Sequence, residues 1–299
     1  MEKILLDTDI GGDIDDAICL AYLLKEPQCE LLGITTVCVE SEKRAAIADA
    51  ICQAAGKDIP IIAGLDTALQ PVPVYPAPDG ASALAHWPHR NFEKADAPAF
   101  MYRKIKENPH EIILIGIGNM TNIATMLQKY PDASDLLKGL YVINGYFGAE
   151  VLPEPWYNGN SWADPLASKI VFESKIAIHR AIPLEVTDML TVKTEKARAF
   201  GISDNHLMNA VFDFGNAWLE SSKKLTLHDP LVAVSVFYPD ICRFQRGNGR
   251  VETNQKNNMG ATTFSSNWNG NVEVAVSVEG ESFYRTLKKT LQFHDFIFS

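Results

Sequence analysis

Residues 5–17 read LLDTDIGGDIDDA, an apolar segment that leads into a loop crowded with carboxylates. Lys3–Asp9 has the pattern of a short buried strand, and Asp15–Lys25 has the pattern of a helix with acidic residues in its first turn. The aspartates of this stretch are Asp7, Asp9, Asp13, Asp15 and Asp16. Like charges this close together repel one another, so the stretch predicts a bound cation.

The residues that follow repeat the alternation of strand and helix. Cys29–Val37 and Ile59–Ala63 are apolar runs of strand length, and Ser41–Ala55 between them has the pattern of a helix that ends before Gly56. Strands that alternate with helices indicate a parallel sheet. Because the chain shows no linker or internal repeat, we predict an α/β fold. It consists of one large domain, residues 1–299, with a mostly parallel, Rossmann-like open sheet flanked by helices.

Two long segments interrupt the alternation, Asp66–Asp96 and Gly145–Trp162. Long loops inside compact domains usually border a functional site, so we expect both to lie beside the active site. The remaining predicted helices are Ala99–Glu107, Thr121–Lys129, Asp164–Ser174, Lys193–Phe200, His206–Lys223, one that opens at His228, and Ser282–Leu291. The remaining predicted strands are Glu111–Ile117, Leu140–Asn144, Ile176–Pro183, Arg250–Thr253, Gly260–Phe264 and Val272–Val278.

The composition is that of a globular protein, with 46% hydrophobic and 21% charged residues. A net charge of -10 disfavours a nucleic acid polymer or an anionic membrane as the main partner. The first strand begins at Lys3 and no apolar run approaches the ~20 residues of a membrane span, so we expect a cytoplasmic protein. The five cysteines lack metal-site spacing and fit reduced, buried thiols.

The aspartate loop suits a hard divalent cation with oxygen ligands, Ca²⁺ or Mg²⁺. Helix capping and ordinary solvation explain one or two of the aspartates, but not five. Two reaction classes use such a cluster after a first strand. One is a Mg²⁺-dependent phosphatase of the haloacid-dehalogenase kind. In that class the second aspartate is followed directly by a glycine and a threonine, whereas Asp9 is followed by Ile10-Gly11-Gly12. The other is a metal-dependent hydrolase.

Several motifs occur in a fixed order along the chain. Asp7-Thr8-Asp9 and Asp15-Asp16-Ala17 are followed by GITTV at residues 33–37, GNMTNIA at residues 118–124, and His228-Asp229-Pro230. A last group runs from VET at residues 251–253 through Gly260 and Thr262 to Asn271-Val272. In this order the motifs resemble those of the inosine-uridine preferring nucleoside hydrolases, over nearly the entire length of the chain.

The resemblance implies hydrolysis of the N-glycosidic bond of a ribonucleoside or related ribosyl compound, giving free base and ribose. It implies Ca²⁺ held by the carboxylates of Asp9, Asp16 and Asp229 and by the backbone carbonyl of Thr121. Asp9 would also be the general base for a water molecule, and His228 would help to protonate the departing base. We expect no nucleic acid or membrane partner, and a homodimer or homotetramer.

Asp15 would hold ribose hydroxyls, and Asp229 would contact the substrate as well as the cation. Other candidates for protonating or stacking on the base lie in the two long loops. They are His86, His89, Trp156, Tyr157 and Trp162.

The sequence departs from the family pattern around the sugar. Glu40 stands where the family has an asparagine, and Asn158 replaces a glutamate, while Asn160 keeps its amide. The aspartate loop is also two residues longer than the family motif, which leaves Asp13 without an assigned role. We therefore expect Glu40, Asn158 and Asn160 to line a sugar pocket with altered selectivity. A metal-binding protein of this fold with a different substrate or no turnover remains an alternative.

Overall fold

A computed structural model describes residues 1–70, 76–147, 159–194, 205–222, 224–255 and 258–292. Its strands are β1 Glu2–Thr8, β2 Cys29–Thr36, β3 Ile61–Ala63, β4 Ile112–Gly116, β5 Gly139–Ile143, β6 His179–Ile182, β7 Thr191–Lys193, β8 Lys224–Thr226, β9 Cys242–Val251, β10 Thr262–Ser266 and β11 Val272–Val278. Its α-helices are α1 Asp15–Lys25, α2 Ser41–Ala54, α3 Ala97–Glu107, α4 Thr121–Lys129, α5 Ala133–Leu136, α6 Asn160–Ala163, α7 Pro165–Glu173, α8 Leu184–Thr187, α9 His206–Ser221, α10 His228–Phe237 and α11 Gly280–Leu291. Short 3₁₀ helices span Asp79–His86 and Pro239–Ile241.

One nine-stranded sheet organises the molecule, in the order β10-β9-β11-β6-β5-β4-β1-β2-β3. The strands from β3 to β11 in this order are parallel to their neighbours, and β9 is antiparallel to both β11 and β10. The mixed α/β architecture with a mostly parallel sheet is therefore confirmed.

The sheet is covered on both faces by apolar side chains. One core cluster includes residues of α1, α2, α9, α10 and α11, and the other includes residues of α3, α4 and α7. Helix α1 is buried along almost its whole length, because it packs against the sheet and also against α2 and α10. This double cover explains why β1 reads as a continuous apolar run.

The register of β1 aligns the carboxyl ends of the central strands. Asp7 near the end of β1 pairs with Thr35 of β2 on one side and with Gly116 of β4 on the other. The segments that follow these three strands therefore begin at one edge of the sheet. Binding sites of open parallel sheets form at that edge.

Some local predictions were wrong or incomplete. The predicted helix Lys193–Phe200 is wrong at Lys193, which ends strand β7 of a separate antiparallel pair with β8, while residues 195–200 lie outside the described part of the chain. Strand β9 extends far beyond the predicted Arg250–Thr253. The segment Asp66–Asp96 contains the 3₁₀ helix Asp79–His86. All five cysteines are free thiols. Among the described residues, no helix has the length and apolar character needed to cross a bilayer.

Candidate active site at the acidic cluster

Three helices begin at the carboxyl edge of the sheet, and each brings a predicted site residue with it. Helix α1 opens with Asp15 and Asp16, α4 opens with Thr121, and α10 opens with His228 and Asp229. The N-terminus of a helix carries unpaired N–H groups and partial positive charge. The ends of these helices therefore suit an acidic site.

Asp13, Asp15 and Asp16 form the acidic cluster. Each offers a carboxylate oxygen, and these oxygens lie within 4.8 Å of one another. Asp16 is fixed by the Thr8 hydroxyl, which donates to its Oδ1. Asp13, to which the sequence analysis assigns no role, therefore lies beside Asp15 and Asp16.

Asp15 also joins helix α1 to helix α10. Its Oδ2 accepts hydrogen bonds from the backbone N–H groups of His228 at 3.2 Å and Asp229 at 3.4 Å. Pro230 comes next and has no N–H to satisfy. Asp15 thus places Asp229 beside the cluster.

Burial dominates the electrostatics of these carboxylates. It raises the pKa values of Asp15, Asp16 and Asp229 well above the usual carboxyl range, and repulsion from neighbouring carboxylates adds to the shift. Burial also raises the pKa of Asp13 to about 6, with the Asp9 charge second. Asp9 and Asp229 are 8% and 5% exposed, and the charge of Asp9 acts on Asp229 as well. The five groups therefore share one electrostatic environment.

Asp7 does not belong to this group. Its Oδ1 accepts from the Thr35 hydroxyl at 2.5 Å and from the side-chain amide of Asn122 in α4 at 2.8 Å. Burial raises its pKa to about 7. Asp7 serves to tie β1, β2 and α4 together, which corrects the expectation that all five aspartates of residues 7–16 meet at a cation.

Thr121 is held by Asp164, a fully buried aspartate that the sequence marks only as part of an Asp-Pro pair. The Thr121 hydroxyl donates to Asp164 Oδ2 at 2.6 Å. The Thr121 carbonyl oxygen accepts from the Thr125 hydroxyl at 2.7 Å, so a cation bound to this oxygen would share it with that hydrogen bond. Asp164 also accepts from the backbone N–H groups of Leu69, Gln70 and Ala167.

His228 is oriented by Thr187. The Thr187 hydroxyl lies 2.6 Å from His228 Nδ1 and 3.0 Å from the Leu184 carbonyl oxygen. A carbonyl can only accept, so the hydroxyl proton belongs to that bond and Nδ1–H donates to Thr187. Burial, with a smaller contribution from the Lys224 charge, lowers the pKa of His228 to about 4. The resting ring is therefore neutral, with Nε2 as the nitrogen left for a ligand.

The residues expected around the sugar have different environments. Glu40 pairs with Lys43 at 2.7 Å, and its side chain is 37% exposed. The side-chain amide of Asn160 donates to the carbonyl oxygens of Ile117 and Ile143 at 2.8 and 3.1 Å, which joins the ends of β4 and β5 and leaves its oxygen for a ligand. Asn158, Trp156 and Tyr157 lie outside the described residues. Trp162 lies half-buried in α6.

The histidines of the first long loop make other contacts. Nδ1 of His86 and Nε1–H of Trp87 both contact Asp213 Oδ2 in α9, at 3.0 and 2.8 Å. His89 Nδ1 contacts the Trp87 carbonyl at 2.8 Å. These contacts fasten the loop to α9.

The donor set of the acidic cluster fits a hard divalent cation. Every candidate side-chain ligand is a carboxylate, these carboxylates are buried, and burial disfavours their charged forms. A bound dication would reverse that penalty. The structure supplies the oxygen ligands but does not distinguish Ca²⁺ from Mg²⁺.

Comparison with known proteins gives a family match. The model of the inosine-uridine preferring nucleoside hydrolase family matches residues 4–285. Uridine nucleosidase 1 of Arabidopsis thaliana is 27% identical, over 97% of this chain and 93% of the relative. Probable uridine nucleosidase 2 of Oryza sativa subsp. japonica is 28% identical, over 84% of this chain and 79% of the relative.

A solved structure shares the fold. The purine-preferring ribonucleoside hydrolase from Gardnerella vaginalis superposes with a TM-score of 0.81 and 24% identity, covering 97% of this chain and 98% of the other.

Proposed function

The chain belongs to the inosine-uridine preferring nucleoside hydrolase family, hydrolases that act on N-glycosyl bonds, and from this premise we propose Ca²⁺-dependent hydrolysis of a ribonucleoside or related ribosyl compound. The products are the free base and ribose. The observation that carries the proposal is the acidic cluster, in which Asp15 and Asp16 are buried, beside the buried Asp9 and Asp229 at the carboxyl edge of the sheet. We propose that the whole chain, residues 1–299, acts as one domain.

In this proposal Asp9, Asp16, Asp229 and the Thr121 carbonyl hold the cation. When bound, the cation compensates the buried carboxylates, binds sugar hydroxyls and makes a water molecule easier to deprotonate. Asp9 takes the proton from that water. The raised pKa values of the neighbouring carboxylates support a charge-compensating ion at this position.

Asp15 and Asp229 contact the ribose in this proposal, and the bonds of Asp15 to α10 hold the two carboxylates next to each other. Glu40, Asn158 and Asn160 complete the sugar pocket. Lys43 contacts one carboxylate oxygen of Glu40, and the side-chain amide of Asn160 donates to backbone carbonyls, which leaves its oxygen for a ligand. Negative groups around the ribose favour a transition state in which positive charge develops on the sugar.

His228 protonates the departing base from Nε2. The resting ring has its proton on Nδ1, where it donates to Thr187, so Nε2 must take up a second proton from solvent water before it can pass one to the base. In the doubly protonated ring the bond to Thr187 persists, which keeps Nε2–H in the same orientation. We further propose a cytoplasmic homodimer or homotetramer whose partner is the small-molecule substrate.

The test is release of reducing sugar from inosine, uridine, adenosine and cytidine by the purified protein, with Ca²⁺ and with EGTA. Asp9→Asn should lower kcat by about 10²–10⁴, the usual contribution of a general base. Asp240→Asn, an exposed aspartate after α10, is the control and should retain activity. Near-normal turnover in Asp9→Asn would require another base.

Two other outcomes are also informative. Intact nucleosides in the presence of bound metal would favour the alternative of a binding protein without turnover. Phosphate release from p-nitrophenyl phosphate with Mg²⁺ would favour the phosphatase, an alternative that the family match disfavours.

A further inference from the structure

The loop between β1 and α1 needs support from outside itself. Residues 9–14 carry Asp9 and Asp13 but include two glycines, and Gly11 has a φ of +113° that other residues rarely adopt. The Gly11 carbonyl accepts from the backbone N–H of Gly80 at 3.0 Å. A loop of this composition has little intrinsic preference for one conformation, so the positions of its two carboxylates depend on such contacts.

Arg44 of α2 supplies several of these contacts. It is 1% exposed, and its guanidinium donates to backbone carbonyls of three separate segments. Nη1 binds the carbonyls of Asp9 and Ile10, the latter at 3.2 Å. Nε binds the Val39 carbonyl at 2.9 Å, and Nη2 binds the Pro76 carbonyl at 3.1 Å.

Two of these segments, residues 9–10 and Val39, follow β1 and β2 at the carboxyl edge of the sheet. Val39 lies in the turn after β2, between Cys38 and Glu40, which have left-handed φ values of 77° and 58°. Such conformations are strained for residues other than glycine and need surrounding structure to hold them. The planar guanidinium can bind several carbonyls in fixed directions at once, which an ammonium cannot do.

We propose that Arg44 is a positioning residue for the cation site: by holding the carbonyls of Asp9, Ile10 and Val39, it fixes the loop that presents Asp9 and Asp13. The inference rests on the proposed cation site and extends it to a residue that touches neither cation nor substrate. It predicts that cation affinity depends on the shape of the Arg44 side chain.

The charge of Arg44 predicts the opposite effect. Burial raises the pKa values of Asp13 and Asp16 and the Arg44 charge opposes this, so the guanidinium lies within electrostatic range of the cluster. A fixed positive charge repels a cation, and its removal by itself would strengthen cation binding. Weaker cation binding after removal of Arg44 therefore indicates positioning, and tighter binding indicates simple charge repulsion.

The experiment measures Ca²⁺ and Tb³⁺ affinity by calorimetry and by sensitised luminescence, without any substrate. The variants are Arg44→Met, which removes the charge and the planar set of N–H donors, and Arg44→Lys, which keeps the charge and removes the planar set. The control is Arg90→Met, because Arg90 also ties a loop to α2, through Asp49 at 2.6 Å, but within the described chain it does not contact residues 9–16.

We expect both Arg44 variants to bind Ca²⁺ about 10–100-fold more weakly, the range seen when residues that orient metal ligands are replaced. Arg90→Met should lower the Tm and leave the affinity within about twofold of wild type. Equal or tighter binding by Arg44→Met would overturn the proposal. So would Arg44 variants that do not fold even in Ca²⁺, since Arg44 would then support the fold rather than the site.

Failure of this inference is distinguishable from failure of the proposed function. If wild-type protein binds Ca²⁺ and hydrolyses no nucleoside, the proposed function fails while the Arg44 comparison still stands. Wild-type protein that binds neither Ca²⁺ nor Tb³⁺ overturns both.

Discussion

Aspartates of similar burial have three different roles in this molecule, according to the groups that they face. Asp7 accepts from Thr35 and Asn122 and joins secondary structure elements. Asp164 accepts from four donors and acts as a helix cap. Asp16 accepts from Thr8 but lies among other carboxylates, so its surroundings favour an added cation. The groups that surround a buried carboxylate, donors or like charges, thus separate a structural residue from a candidate ligand.

His228 offers a test of leaving-group protonation. We expect His228→Ala to slow hydrolysis of a purine nucleoside much more than hydrolysis of p-nitrophenyl riboside. A purine anion is a poor leaving group that gains from a general acid, whereas nitrophenolate leaves without a proton. The measurement is kcat/KM for both substrates. Equal losses would indicate that His228 positions Asp229 or the sugar instead.

His179 offers a test of acid sensitivity far from the acidic cluster. Its ring is 1% exposed and stacks on Phe172, and neither ring nitrogen has a partner within the described chain. Burial lowers its pKa to about 4. Between about pH 6.5 and pH 4 the unfolded chain binds a proton that the folded protein does not, so folding free energy is lost as the pH falls.

We therefore expect His179→Phe to lose less stability than wild type when the pH is lowered from about 7 to about 4.5, with a difference on the order of 3 kcal/mol at most. Urea unfolding at both pH values measures the difference. Other titrating groups contribute equally to both proteins and cancel in the comparison. An identical pH dependence would show that the ring is solvated or paired in solution.

The helices and strands of the site could largely be predicted, because their patterns are local. Helices α1 and α4 have the predicted bounds, since acidic residues mark the start of one and a continuous apolar period marks the other. Strand β9 was mostly missed, because CRFQRGNGRV carries charged residues and glycines, and only its neighbours β10 and β11 make it a strand. Tertiary pairing decides such segments.

The same distinction applies to the site. Asp15 and Asp16 are visible in the sequence because they stand in a run of aspartates at a helix start, whereas His228 and Asp229 are singled out by the resemblance to the family. Arg44 and Asp164 are not visible, since their partners are backbone groups of segments far away in the chain. The sequence also gives no sign that Asp7 turns away from the other aspartates.

Helix α7 depends on Asp164 as a cap that also binds two other segments. Asp164 is fully buried and accepts from Thr121, Leu69, Gln70 and Ala167. Asp164→Asn would set an NH₂ group against backbone N–H donors, so we expect a loss of about 2–4 kcal/mol of unfolding free energy. Urea unfolding measures it.

Asp96 is the matched control for this substitution. It caps α3 in the same way, accepting from Ala99 N at 2.9 Å, but its side chain is 52% exposed. Asn caps helices about as well as Asp, so Asp96→Asn should cost less than about 1 kcal/mol. Equal losses in the two variants would contradict the view that Asp164 joins three segments.

At the scale of the whole molecule, negative charge is concentrated where the strands end. The chain has a net charge of -10, and several buried carboxylates meet at the starts of α1 and α10. Helix N-termini and the Arg44 guanidinium offset part of this charge. Folding buries carboxylates that are already neighbours in the sequence and brings Asp229 beside them, so a cation that binds only the folded state should stabilise the entire protein.

We expect removal of Ca²⁺ by EGTA to lower the Tm, and Ca²⁺ in excess to restore it. At a free concentration about 100 times the Kd, binding adds about 2.7 kcal/mol to the unfolding free energy, because the ion binds the folded state alone. Thermal unfolding over a Ca²⁺ titration, with KCl at matched ionic strength, measures this and removes simple screening from the comparison. Asp16→Asn is the variant control, and its Tm should respond less to Ca²⁺ because a charged ligand is missing. A Tm that rises with Mg²⁺ and not with Ca²⁺ would show that the site binds Mg²⁺ and that our proposal names the wrong ion. A Tm that responds to neither ion would contradict a cation at the acidic cluster, because an ion that binds only the folded state must raise the free energy of unfolding.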